Sequence, residues 1–105
     1  MKKNKFVYLI QSLVDGNYKI GISVNPNKRT TTLQTGNSSK LKLIETYQSE
    51  NASKIESTLH NHFGHMRKEG EWFDLSIEEE VSFKKKCEKI DNTIKTLQKM
   101  NNPFL

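Results

Sequence analysis

Tyr8 and Lys19 are residue types that can act together on a phosphate. A phenol can give or take a proton, and an ammonium supplies a cation or, unprotonated, a base. Each sits in a β-branched and aromatic run, Phe6 to Ile10 and Tyr18 to Ser23, which reads as a strand. Asp15-Gly16-Asn17 between them is a strong turn signal, so the two runs fold as an antiparallel hairpin. Side chains alternate faces along a strand, so the phenol and the amine can project from one face. Arg29 follows, and a guanidinium suits the clamping of a scissile phosphate. Glu56 and His60 stand four residues apart in a helical pattern and share a helix face. A single carboxylate there can hold Mg²⁺ together with phosphate oxygens and waters. Taken singly, each residue is equally a strand aromatic, a solvated cation or half of a helix-surface ion pair. His60, His62 and His65 lack a fourth ligand at zinc spacing.

The elements that position these residues are legible in the chain. Asn25 caps a helix whose first residue is Pro26, which carries Arg29 and Leu33 and stops at Gly36. Leu41 to Tyr47 reads as a third strand. Ala52, Ile55, Leu59 and Phe63 recur at gaps of three and four and make the apolar stripe of a second helix starting near Ser49 to Asn51. Gly64 and Gly70 bracket a basic loop with Arg67 and Lys68, followed by a short extended piece, Glu71 to Leu75. Ser76 and Glu79 form a capping box that opens the last helix. The expectation is an α+β fold: a small three-stranded antiparallel sheet flanked by helices, with a core over 1–75 and a C-terminal helix over 76–105.

Composition bounds the function. With 105 residues, 33% of them hydrophobic, the chain suits one domain with a small core and no deep cofactor cavity. A net charge of +5 favours an acidic partner, nucleic acid being the commonest, although the lysine runs are confined to Lys2-Lys3 and Lys84-Lys85-Lys86. One cysteine, Cys87, excludes an internal disulfide and a cysteine-based zinc cage. No apolar run has the length of a membrane span, and Phe6 to Ile10 is too short for a secretory signal, so a cytoplasmic protein without membrane association is expected.

Together the motifs resemble the GIY-YIG nuclease superfamily, in its T5orf172/Mug113-like subgroup. The resemblance rests on Tyr8, Tyr18-Lys19-Ile20-Gly21, Arg29, Glu56-Ser57-Thr58-Leu59-His60 and Glu71-Trp72-Phe73, in that order, and covers residues 6 to about 75. Lys19 stands directly before Ile-Gly, where the second tyrosine of the superfamily's name would stand, and Tyr18 is one position early. A one-residue shift on a strand reverses the face, so Lys19 takes that place. Phe6 stands where the name would put glycine, and the asparagine many members carry late in the domain has no clear counterpart.

The resemblance implies metal-assisted hydrolysis of DNA phosphodiester bonds, with DNA as partner. Tyr8, Lys19, Arg29, Glu56 and His60 are its implied catalytic residues. Glu56 would hold one Mg²⁺ or Mn²⁺, Tyr8 would accept a proton from the attacking water, and Lys19 would orient that water or, as a nearby cation, favour the phenolate. Arg29 would stabilise charge on the phosphate, and His60 would orient Glu56 or donate to the phosphate. Lys19, Arg29, Arg67 and Lys68 are the expected DNA contacts. Gly21 would allow a helix or the DNA backbone close to the strand, and Trp72 reads as a structural plug, with base stacking as its alternative.

Phe83, Cys87, Ile90, Ile94 and Leu97 form a heptad-like seam on the last helix. It either packs on the domain or joins two copies as a homodimer. Two rival functions stand beside the nuclease: a DNA-binding module that has lost cutting, and a regulatory protein-interaction module acting through this helix. Convergence of Tyr8, Lys19, Arg29 and Glu56 on one cleft separates the catalytic reading from them.

Overall fold

The computed structural model describes residues 4–68 and 70–101. The Lys2-Lys3 run and the outer ends of the segments expected at 1–75 and 76–105 lie outside them. The element order is β1 (Lys5–Ser12), β2 (Tyr18–Ser23), α1 (Pro26–Thr35), β3 (Leu41–Ser49), α2 (Ala52–His62), a 3-10 turn (Gly64–Met66), β4 (Trp72–Phe73), α3 (Ile77–Val81) and α4 (Phe83–Asn101).

β1 and β2 form the expected hairpin, in the register Tyr8 opposite Gly21 and Ile10 opposite Lys19. The connection is closed by the Ser12 N–H donating to the Asn17 carbonyl at 2.9 Å, with Gly16 at φ +77°, a left-handed conformation that glycine adopts without cost. β3 pairs with the other side of β1, and a register shift between Leu9 and Ile10 marks a bulge opposite them.

The sheet has four strands, in the order β3-β1-β2-β4, and not the three expected. The extended piece after Gly70 pairs with β2, Tyr18 opposite Phe73 and Lys19 opposite Trp72. Gly70, at φ +63°, turns the chain back. The Lys68 N–H donates to the Trp72 carbonyl at 2.7 Å, and the Asp74 N–H to the Met66 carbonyl at 2.8 Å. A two-residue strand has no periodicity of its own, but it covers part of a sheet edge that would otherwise be open.

α1 lies on one face of the sheet and α2 and α4 on the other. On the α2 side, Val7, Leu9 and Ile20 meet Ile55, Leu59 and Phe63, with Phe73 closing one end. The smaller cluster on the α1 side joins Tyr8, Ile10 and Leu41 to Leu33 and Trp72. Central β1 is buried on both faces, which is why it reads as an unbroken apolar run.

α1 begins as expected, with the Asn25 side chain accepting from the Lys28 N–H at 3.1 Å and Pro26 at the first helical position. The capping box at Ser76 and Glu79 is formed. The single last helix is in fact two, divided at Ser82, whose hydroxyl donates to the Glu78 carbonyl at 2.8 Å. Phe83, Cys87, Ile90 and Ile94 pack on the domain's own core, and Leu97 is half exposed. Burial pushes the Cys87 thiol up to about 12, with the charges of Glu45 and Asp91 adding to it, so this cysteine behaves as a small buried hydrophobe.

A buried polar network, which no motif announces, ties α4 to β3 and to the start of α2. Asp91 is 1% exposed. It accepts from the Tyr47 hydroxyl at 2.8 Å and the Asn51 side-chain amide at 3.1 Å, and pairs with Lys95 at 3.4 Å. Asn51 heads α2 without capping it, because its side chain is committed to Asp91 and Gln98. Among the described residues, no helix is long and apolar enough to cross a membrane.

Candidate functional site

β2 is the spine of the site. Its residues alternate: Tyr18 and Ile20 face the α2 side, and Lys19 and Gly21 face the α1 side with Tyr8. The Tyr18 hydroxyl donates to Glu80, and its own burial together with that hydrogen bond raises the phenol to about 12. Tyr18 is therefore a core residue on the opposite face from Tyr8, as the one-residue offset predicts.

Tyr8 is 2% exposed and lies flat across Gly21. A Cβ at position 21 would fall inside the phenol, so the close approach that this glycine permits is that of Tyr8 itself, not of a helix or of a DNA backbone. The Tyr8 hydroxyl has no hydrogen-bond partner among the described residues, which leaves it available to a ligand. Gly21→Ala is expected to destabilise the fold by about 1–3 kcal/mol and to push the phenol away. Combining it with Tyr8→Ala should recover most of that loss in a thermal-melting double-mutant cycle. Simple additivity of the two changes would contradict the contact.

Lys19 is 9% exposed, held at the β2–β4 pairing. Its Nζ donates to Glu71 Oε2 at 2.7 Å and stands 5.8 Å from the centre of the Trp72 ring. The hydrogen bond from Lys19, reinforced by its charge, holds the Glu71 carboxyl below its ordinary range. Glu71 is the residue sequence reasoning left without a role. Its signal was present: it precedes Trp72, the cross-strand partner of Lys19, but that pairing is invisible until β4 is recognised as a strand.

Glu56 and His60 approach from α2. His60 Nε2 donates to the Ile20 carbonyl at 2.9 Å, its ring meets Phe73 edge-on at 5.1 Å, and its Nδ1 faces the Arg67 guanidinium at 3.4 Å. His60 is thus fixed to the free edge of β2 just past the β4 pairing. Arg67 also stacks over Phe73 at 5.3 Å, while exposed Lys68 lines a separate cavity with Trp72. Desolvation raises the Glu56 carboxyl above its ordinary value, and the like charge of Glu71 adds to this. His60 and Lys19 oppose it. Lys19, Glu71, Glu56, His60 and Arg67 thus form one electrostatic cluster around β2.

Arg29 stands apart from that cluster, so Tyr8, Lys19, Arg29 and Glu56 do not converge on one cleft as the catalytic reading expected. Arg29 is exposed on α1, in a shallow groove with Ser23, Val24 and Asn25 at the far end of β2. Lys19, Gly21 and Ser23 share a strand face over roughly 13 Å, with the Tyr8 phenol over Gly21 and Arg29 of α1 in the groove that Ser23 lines. A strand of nucleic acid can follow such a row.

Among the described residues, no three His, Cys, Asp or Glu side chains are grouped to cage a metal. A Mg²⁺ or Mn²⁺ that keeps most of its water and takes phosphate oxygens needs only one or two carboxylates. Glu56, half-buried on α2, is the carboxylate that could take such an ion, whereas Glu71 is already tied to Lys19.

Comparisons with curated proteins and with solved structures give no match. Comparison with family profiles matches the T5orf172 domain over residues 5–97, a span that holds all four strands and each residue of the cluster. The chain belongs to the T5orf172 domain family.

Proposed function

We propose that this protein is a metal-dependent endonuclease of GIY-YIG type that hydrolyses phosphodiester bonds in DNA. Membership of the T5orf172 family, a nuclease-like and DNA-associated group, supports the reading. The observation that carries it is the buried Lys19 on one strand face with the Tyr8 phenol, with Glu56 on α2 across the sheet but near enough for its charge to act on that of Lys19. Tyr8 relays the proton of the attacking water, taking it on its unpartnered oxygen as it gives up its own proton to bulk water. Lys19, steadied by Glu71, places a fixed positive charge where negative charge grows on the phosphate. Arg29 binds the strand further along the row, and Arg67 meets the backbone at the β2 edge. Glu56 holds Mg²⁺ or Mn²⁺. When bound, the ion supplies Lewis-acid polarisation of a phosphate oxygen. Both strands of a duplex would be cut by successive encounters, or by two copies joined at the exposed Leu97 and Met100 end of α4.

The test is conversion of supercoiled plasmid in Mg²⁺ or Mn²⁺. Wild type is expected to nick or linearise it, and Glu56→Ala to lose this by about 100-fold or more. Equal cutting by the two proteins, or none by either, removes Glu56 from the chemistry and favours a DNA-binding or interaction module.

A further inference from the structure

A second concavity lies beside the Lys19 cluster and shares a wall with it. It has a volume of about 310 Å³ and is lined by Ser12, Asp15, Asn17, Asn37, Lys68 and Trp72, among others. This volume suits one flat heterocycle. Three features point to what it takes. Trp72 gives it an aromatic wall, and that same ring stands 5.8 Å from the Lys19 ammonium. Ser12 is 4% exposed, and its Oγ is buried with no hydrogen-bond partner among the described residues, an unspent polar group of a kind folded proteins rarely keep. The side-chain amide nitrogens of Asn17 and Asn37 have no partner among the described residues and remain available as donors, while Asn37 Oδ1 already accepts from the Ser39 N–H at 2.9 Å.

We infer that this concavity binds one unpaired nucleobase of the nucleic-acid strand whose phosphate lies at Lys19. The base stacks on Trp72, the amides of Asn17 and Asn37 meet its polar edge, and Lys68 pairs with the adjoining phosphate. An apolar ligand would leave the amides and Ser12 unpaired, and a bare phosphate would meet the carboxylate of Asp15 and leave the aromatic wall unused. The inference rests on the nuclease reading for its location, so the test keeps binding separate from cutting.

Trp72 is the chain's single tryptophan, so its fluorescence reports on this wall, and an abasic strand controls for the effect of a phosphate at Lys19. The wild-type protein, held in a chelator so that nothing is cut, would be titrated with a short single-stranded DNA and with the same backbone made abasic. The base-bearing strand is expected to quench Trp72 saturably and to bind about tenfold more tightly than the abasic strand. Asn17→Ala, and Asn37→Ala as a second variant, should erase most of that difference while leaving the abasic affinity unchanged and, for Asn17→Ala, the melting temperature as well. Equal binding of the two strands, or base-dependent quenching indifferent to both asparagines, overturns the inference. Base-dependent quenching that both variants abolish supports it, even where wild type cuts no plasmid; in that case only the nuclease reading fails.

Discussion

Lys19→Met is expected to lower the cleavage rate by about 100- to 1,000-fold while leaving the fold intact. Lys19 is the buried member of its pair and Glu71 the exposed one, with side-chain exposures of 11% and 65%. Removing the ammonium frees a carboxylate that water can solvate, so the stability cost should stay below about 1 kcal/mol. A cation fixed in a poorly solvated position is worth far more to a transition state than to the ground state. Lys19→Arg is expected to restore little, because the planar guanidinium needs a different approach to Glu71 and to the phosphate. Single-turnover cleavage beside thermal melting checks both halves. Loss of folding in Lys19→Met, or cutting at the wild-type rate, would count against the assignment.

The second large effect concerns stability. Asp91→Ala should cost about 3 kcal/mol, because it leaves the Tyr47 hydroxyl and the Asn51 amide as donors without an acceptor. For a domain of this size that is a fall of roughly 15 °C in Tm. Burial pushes the Asp91 carboxyl up, but hydrogen bonds from Tyr47, Asn51 and Ser49 and the nearby Lys95 outweigh it and hold the group below its ordinary range. Its ionised form therefore favours the fold. That contribution is complete above the ordinary carboxylate value of about 4 and is lost as pH falls through the lower folded value. The Tm advantage of wild type over Asp91→Asn should thus be constant near neutrality and shrink in acid. An Asp91→Ala protein that melts within a few degrees of wild type would show that the network contributes little.

Elements with enough length to express a period were readable from the chain. β1 declares itself by an unbroken β-branched and aromatic run, β2 by alternation and α2 by an apolar stripe, and Asn25, Pro26, Ser76 and Glu79 mark helix starts through local capping and backbone geometry. The opposite facing of Tyr18 and Lys19 also follows from strand parity alone. β4 was not readable as a strand, since two residues carry no period and its partner is 52 residues away in sequence at the Lys19–Glu71 contact. The break at Ser82 has no marker of its own in the sequence, since the hydroxyl back-bond it makes is also made by Thr58 and Thr93 inside unbroken helices. Asp91 carries no signal of its own in the sequence, because its partners, Tyr47 and Asn51, come from β3 and the start of α2. Within the site, residue types and order were legible, whereas the tie between Lys19 and Glu71 and the position of Arg29 at the far end of β2 required the fold.

The most direct test of the catalytic account is Tyr8→Phe, which removes one oxygen and keeps the ring that packs over Gly21. Plasmid cleavage in Mn²⁺ and thermal melting would be measured on the same preparations of wild type and variant. The expected result is an unchanged Tm with cleavage slower by about 100-fold. Wild-type cutting by Tyr8→Phe at the same Tm would show that the phenol oxygen takes no part in the reaction.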